Sequence, residues 1–112
     1  MKADQLRPTP MHFEGFRRDR HRHIPEASGN YVLTPIDNTI LYVGLTKNLR
    51  KRFLQHLDTP EKISPTVHGR AVLFHWLESA DTCSVERGWI FMHCNQEGAR
   101  PVLNKADSPL GQ

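Results

Sequence analysis

Residues 29–44 read GNYVLTPIDNTILYVG, and this stretch decides the fold. Its first half, NYVLTPI (30–36), is rich in β-branched and aromatic strand formers. Asp37, Asn38 and Thr39 supply turn chemistry. ILYVG (40–44) is again apolar and β-prone. Two such runs around a polar turn predict a β-hairpin.

Downstream, Thr46 is the expected N-cap of a helix over residues 47–57. Leu49, Phe53 and Leu57 recur at four-residue steps and predict its buried face. Arg52 and His56 keep the same step, which sets them one turn apart on an adjacent face. Pro60, Pro65 and Gly69 mark a loop over residues 58–69. AVLFHWLE (71–78) predicts a third strand. Residues 79–81 offer a cap for a second helix over 82–96, with Val85, Trp89 and Met92 on its buried stripe and Gly98 as its stop. Val102 and Leu103 suggest a short extended piece. The expected class is α+β: a small three-stranded antiparallel sheet flanked by helices, in the order β-β-α-β-α.

Residues 1–28 differ in character. They hold Pro8, Pro10 and Pro25, many charges and few apolar anchors beyond Met11, Phe13 and Phe16. This reads as a basic N-terminal arm with a short helical turn around residues 13–20, either packed on the domain or mobile. The domain itself is expected over 29–108, with a tail at 109–112.

The whole chain has 112 residues, 38% hydrophobic and 24% charged, which suits one globular domain and leaves little room for a second core. It lacks an apolar run near the ~20 residues of a membrane helix. MKADQLRPTP at the start lacks the apolar centre of a signal peptide. The expectation is a cytoplasmic protein with no membrane partner. Cys83 and Cys94 fall on one predicted helix, and an eleven-residue step spans ~16 Å there, too far for a disulfide.

The net charge is only +3, but the cations cluster. RRDRHRH (17–23) carries Arg17, Arg18, Arg20 and Arg22; KNLRKRF (47–53) carries Lys47, Arg50, Lys51 and Arg52. Basic stripes favour polyanions such as nucleic acid. The histidines of the arm lack cysteine partners and zinc spacing.

The polar groups around the hairpin carry more information than the charge. GNY is followed, after ten residues, by YVG; then come TKNLRKRFLQH, a helix bearing Glu86, and Pro-Val-Leu-Asn ending at Asn104. This order resembles the GIY-YIG nuclease family, which includes homing endonucleases, some restriction enzymes, structure-specific nucleases and the incision module of bacterial excision repair. The likeness covers roughly residues 29–104. Each triplet alone is a weak signal; five elements in order at family spacing are a strong one.

The resemblance implies a metal-dependent endonuclease hydrolysing phosphodiester bonds in DNA. It implies catalytic roles for Tyr31, Tyr42, Arg52, His56, Glu86 and Asn104. Tyr31 stands where the family has its base, acting directly or through a water relay. Arg52 stands where the family's arginine grips phosphate, Glu86 where its glutamate holds one Mg²⁺ or Mn²⁺. Gly44 closes the second triplet, where the strand is expected to give way to the loop before the helix. Arg17, Arg18, Arg20, Arg22, Lys47, Arg50, Lys51 and His68 are the expected nucleic-acid contacts. One residue departs from the pattern: Asn30 replaces the usual aliphatic residue of the first triplet. Its side chain points away from the tyrosine's face of a strand, so packing there is what it brings into question.

These residue types suit the chemistry. Hydrolysis at phosphorus needs an activated water, charge stabilisation and help for the leaving oxygen. A lone carboxylate can hold Mg²⁺ and leave positions for water and phosphate. Arginine can grip phosphate through two parallel donors, which lysine cannot. A phenol with its ordinary pKa of about 10 needs help to act as a base near neutrality. The alternatives are an inactive or partner-dependent nucleic-acid-binding module, and a nuclease for RNA or for branched or single-stranded DNA. Oligomeric state and protein partners stay open.

Overall fold

The computed structural model of the chain describes residues 1–104. The expected domain end at 108 and the tail at 109–112 lie outside the described residues.

Four antiparallel strands form one sheet: β1 (His12–Gly15), β2 (Gly29–Thr34), β3 (Tyr42–Thr46) and β4 (Leu73–Glu78), in spatial order β1-β4-β2-β3. Three helices accompany it: α1 (Leu49–Leu57), the single-turn α2 (Pro60–Ile63) and α3 (Thr82–Glu97). Short 3-10 turns cover Ala3–Gln5 and Arg18–His23. The class is the expected α+β, but the sheet has a fourth strand. It comes from residues 12–15, inside the segment read as an arm with a helical turn. Those four residues are half-buried or exposed and pair only with distant β4, so no local pattern announces them.

All six residues of β2 are buried, because both faces of the sheet are covered. Alternation along the strand divides the core. Tyr31 and Leu33 join Leu49, Phe53, Phe74 and Trp76 on the α1 side, while Val32 joins Val43 and Trp89 on the α3 side. Burying one such side chain contributes about 1.5–3 kcal/mol. The first 28 residues pack against both sides: Phe16 and Ile24 in the first cluster, Ala3 and Leu6 in the second. Trp89 Nε1 donates to the Pro8 carbonyl at 2.9 Å, and the N-terminal ammonium pairs with Glu97 at 2.6 Å.

Two local expectations shift. The second hairpin strand runs past Gly44 to Thr46, which pairs with Gly29, so Gly44 lies within the strand and Thr46 does not cap the helix. Asn48 caps it instead, its side chain accepting from the Lys51 amide at 3.0 Å. Thr46 closes the intervening turn by accepting from the Asn48 amide at 3.1 Å. Residues 102 and 103 form a turn, although the Leu103 amide donates to Leu41 at 2.9 Å. The second helix follows expectation: Asp81 caps it, and Gly98 ends it in a left-handed conformation at φ 78°. Both cysteines are free. Among the described residues no helix is long and apolar enough to cross a membrane.

Candidate active site

The site grows from the pairing of β2 with β3. Tyr31 and Gly44 are cross-strand partners. A Cβ on residue 44 would come within 2.4 Å of both Cζ and the hydroxyl oxygen of Tyr31. The absence of a side chain at 44 therefore makes room for the phenol. Phe74 stacks on the Tyr31 ring, with centroids 5.0 Å apart and planes 11° off parallel.

Helix α1 supplies the next groups. His56 is buried, and its Nε2 lies 2.6 Å from the Tyr31 hydroxyl. Tyr42 opens β3, its ring 6.0 Å from Tyr31 and edge-on to His56 at 5.3 Å. Arg52, one turn before His56, lies close enough to both phenols to favour their ionised forms. Its Nε donates to Gln55 at 3.0 Å, which holds the side chain along the helix.

Burial dominates the protonation states. It raises the Tyr31 hydroxyl well above its ordinary 10, nearby Tyr42 adds to this, and Arg52 only opposes it. Tyr42 is also raised, first by burial, with the charge of Glu86 adding and Arg52 subtracting. His56 is pushed down to about 3, first by burial and then by the positive charges of Lys62 and Arg52. Near neutrality the pair is thus a neutral phenol and a neutral imidazole, joined by one hydrogen bond between the phenol oxygen and Nε2.

Glu86 comes from α3, whose main packing is on the other side of the sheet, yet its charge is felt at Tyr42 near the β3 edge. Arg52 acts on the same phenol from α1. Glu86 is half-buried, and burial raises its carboxyl pKa against the pull of Arg100. No hydrogen bond or ion pair engages its carboxylate among the described residues. No group of three or more His, Cys, Asp or Glu side chains able to hold a metal occurs there either. A single uncommitted carboxylate fits Mg²⁺, which keeps most of its water, and does not fit a zinc or calcium cage.

Asn104 is engaged elsewhere. Its Oδ1 accepts from the Val43 amide and its Nδ2 donates to the Val43 carbonyl, both at 2.9 Å. It braces the edge strand between Tyr42 and Gly44.

The candidate nucleic-acid contacts divide. Lys47 and Lys51 are exposed around the start of α1, and Arg22 and His68 are exposed in the 3-10 turn and the loop before β4. Arg17 pairs with Asp19 at 3.5 Å, Arg18 with Asp58, and Arg20 with Glu14 at 3.4 Å. Arg50 fastens the N-terminal segment, donating to the Ile24 carbonyl and to Glu26, each at 2.8 Å.

Two cations near the site carry no sequence signal. Lys62 lies over the Tyr42 ring, 4.6 Å from its centroid, from a stretch that read as loop. Arg100, just beyond the Gly98 stop, is felt at Glu86.

The GIY-YIG catalytic domain model matches residues 27–91, which include Tyr31, Tyr42, Arg52, His56 and Glu86. A 48-residue stretch is 38% identical to the UvrABC system protein C of Prochlorococcus marinus subsp. pastoris (strain CCMP1986 / NIES-2087 / MED4). The UvrABC system protein C of Prochlorococcus marinus (strain MIT 9312) is 35% identical over 48 residues. Each alignment covers 43% of this chain but 7% of the relative, so the chain corresponds to a small part of those proteins. Since the family match extends over more than half of its residues and the paired tyrosines meet across the expected hairpin, the chain belongs to the GIY-YIG nuclease family.

Proposed function

We propose that the chain is a metal-dependent endonuclease that hydrolyses phosphodiester bonds in DNA. The observation that carries this is the 2.6 Å contact of Tyr31 with His56, beside a tyrosine that senses both Arg52 and Glu86. This supports the reading by setting a hydrogen-bonded phenol–imidazole pair beside a phosphate grip, with the charge of Glu86 felt there from α3. DNA is the substrate of the family members that the sequence resembles.

Arg52 donates two parallel N–H groups to phosphate oxygens and balances the charge that builds on them. Tyr31 is fully buried, so a water relay to its hydroxyl fits better than direct attack on its part. The nucleophilic water gives up its proton to solvent through that relay, in which the Tyr31 hydroxyl orients the waters and the contact with neutral His56 holds the hydroxyl in place. Tyr42 orients the water or the phosphate. Glu86 would hold one Mg²⁺ or Mn²⁺, which when bound supplies Lewis-acid stabilisation of the leaving oxygen. Lys47, Lys51 and Arg22 bind backbone phosphates, which positions DNA without reading its sequence. Asn104 acts through β3 as a positioning residue.

The test is nicking of supercoiled plasmid across a Mg²⁺ titration, with the wild type, Arg52→Ala and Glu86→Gln compared. Metal-dependent nicking by the wild type alone supports the reading. Nicking that persists in both variants defeats it. A panel of flap, junction, single-stranded and RNA substrates then sets the preference. A second reading, dependence on a partner, is favoured by the relatives' belonging by name to a multi-protein system and being far longer than this chain.

A further inference from the structure

We infer that Asn30 is a positioning residue that sets Glu86 relative to Tyr31 by fastening the first turn of α3 to β2; this rests on the roles proposed above for those two residues. Asn30 precedes Tyr31 on β2, on the opposite face, and is completely buried. Its Nδ2 donates to the Thr82 carbonyl at 2.8 Å and makes a longer contact, 3.5 Å, with the Gly44 carbonyl. Thr82 opens α3, and four residues on, its carbonyl is the helical acceptor for the Glu86 amide. One carboxamide thus joins the strand carrying Tyr31, the glycine on which Tyr31 packs, and the first turn of α3, just beyond which Glu86 follows.

Its other polar atom shows what this geometry costs. Asn30 Oδ1 is buried without a hydrogen-bond partner among the described residues. Turning the amide over would set that oxygen against the Thr82 carbonyl oxygen, so the observed orientation is the favourable one. A buried unsatisfied acceptor destabilises a fold, and an aliphatic side chain at this position would avoid it. Val85 packs against the core and Ser28 ties Ser79 ahead of the helix, but among the described residues the Asn30 bond is the one side-chain hydrogen bond from the sheet to the first turn itself. Trp89, the buried anchor of α3, lies seven residues beyond Thr82, and the Asp81 cap bonds only within its own helix, to the Ser84 amide at 3.3 Å. Weakly tied helix ends fray, and a carboxylate just beyond a fraying turn is poorly placed for its task.

Asn30→Leu, close in shape, and Asn30→Val test the inference through two readouts. The first is hydrogen exchange at the Val85 and Glu86 amides, which needs no substrate. The second is the split between kcat and DNA affinity measured without divalent metal. Both variants are expected to melt at or above the wild-type temperature. They should exchange those two amides about tenfold faster and lose about tenfold in kcat with DNA affinity unchanged. Unchanged exchange in both variants overturns the inference, as does unchanged kcat in a cleaving enzyme. Should the wild type cleave no nucleic acid, the functional proposal fails by itself, and exchange alone then decides whether Asn30 holds α3.

Discussion

Tyr31 and Gly44 face each other across β2 and β3 so closely that the phenol occupies the space of the missing side chain. Gly44→Ala would bring a methyl group within 2.4 Å of the hydroxyl oxygen, and the ring must move. The packed neighbours Phe74 and His56 leave it no free direction. The expected result is a stability loss of about 1–3 kcal/mol from overpacking. A fall of about 100-fold in cleavage should accompany it, since a misplaced group near 1 Å has that effect. Denaturant melts and nicking rates check both; full activity in the variant would remove Tyr31 from the mechanism.

Acid should destabilise the protein through buried histidines. His56 is held at about 3 and His75 at about 4, both mainly by burial, against an ordinary 6.5. Between these values the unfolded chain binds protons that the folded chain refuses, so stability falls as pH drops below about 6.5 and keeps falling toward 4. Melting temperature against pH should show this slope. His75→Gln should flatten it without touching the cleavage chemistry, because His75 bonds Thr34 on the far face of the sheet.

Arg52 and Glu86 should fail in different ways. Arg52→Lys keeps the charge but loses the two-pronged grip, and cleavage should fall about 100-fold at every metal concentration. Glu86→Gln should leave DNA binding intact and abolish cleavage that excess Mg²⁺ cannot restore. Rescue of Arg52→Lys by added metal would contradict the division of labour.

Lys62, one of the two cations without a sequence signal, depresses His56. Replacing it with methionine removes a positive charge beside the imidazole. The His56 pKa should then rise from about 3 toward its ordinary value, as followed by NMR titration. Cleavage should suffer less than in Arg52→Lys, because Arg52 still balances the phosphate.

Asn104→Ala should act as a packing lesion of the edge strand. It strips the partners from both backbone groups of Val43, at a cost of about 1–3 kcal/mol. Activity should fall in parallel with stability and recover on cooling. A large loss in kcat with an unchanged melting curve would make Asn104 a catalytic residue instead.

Local pattern was enough for the hairpin, both long helices and the Gly98 stop, because alternation and four-residue spacing are properties of neighbouring residues. Resemblance to a family singled out Tyr31, Tyr42, Arg52, His56 and Glu86 as candidates, because their order along the chain survives whatever the loops do. The fourth strand was not legible: residues 12–15 become a strand only by pairing with β4, some sixty residues away. Nor was the use of Arg50 as a fastener, or Asn104 as an edge brace, since both depend on backbone groups brought in from distant segments. Sequence alone determined which chemistry-bearing side chains this protein carries and on which elements they ride. Only the tertiary structure decided their state — a buried phenol held neutral, an imidazole driven down to about 3, a carboxylate left uncommitted — because desolvation and the field of neighbouring charges arise from packing.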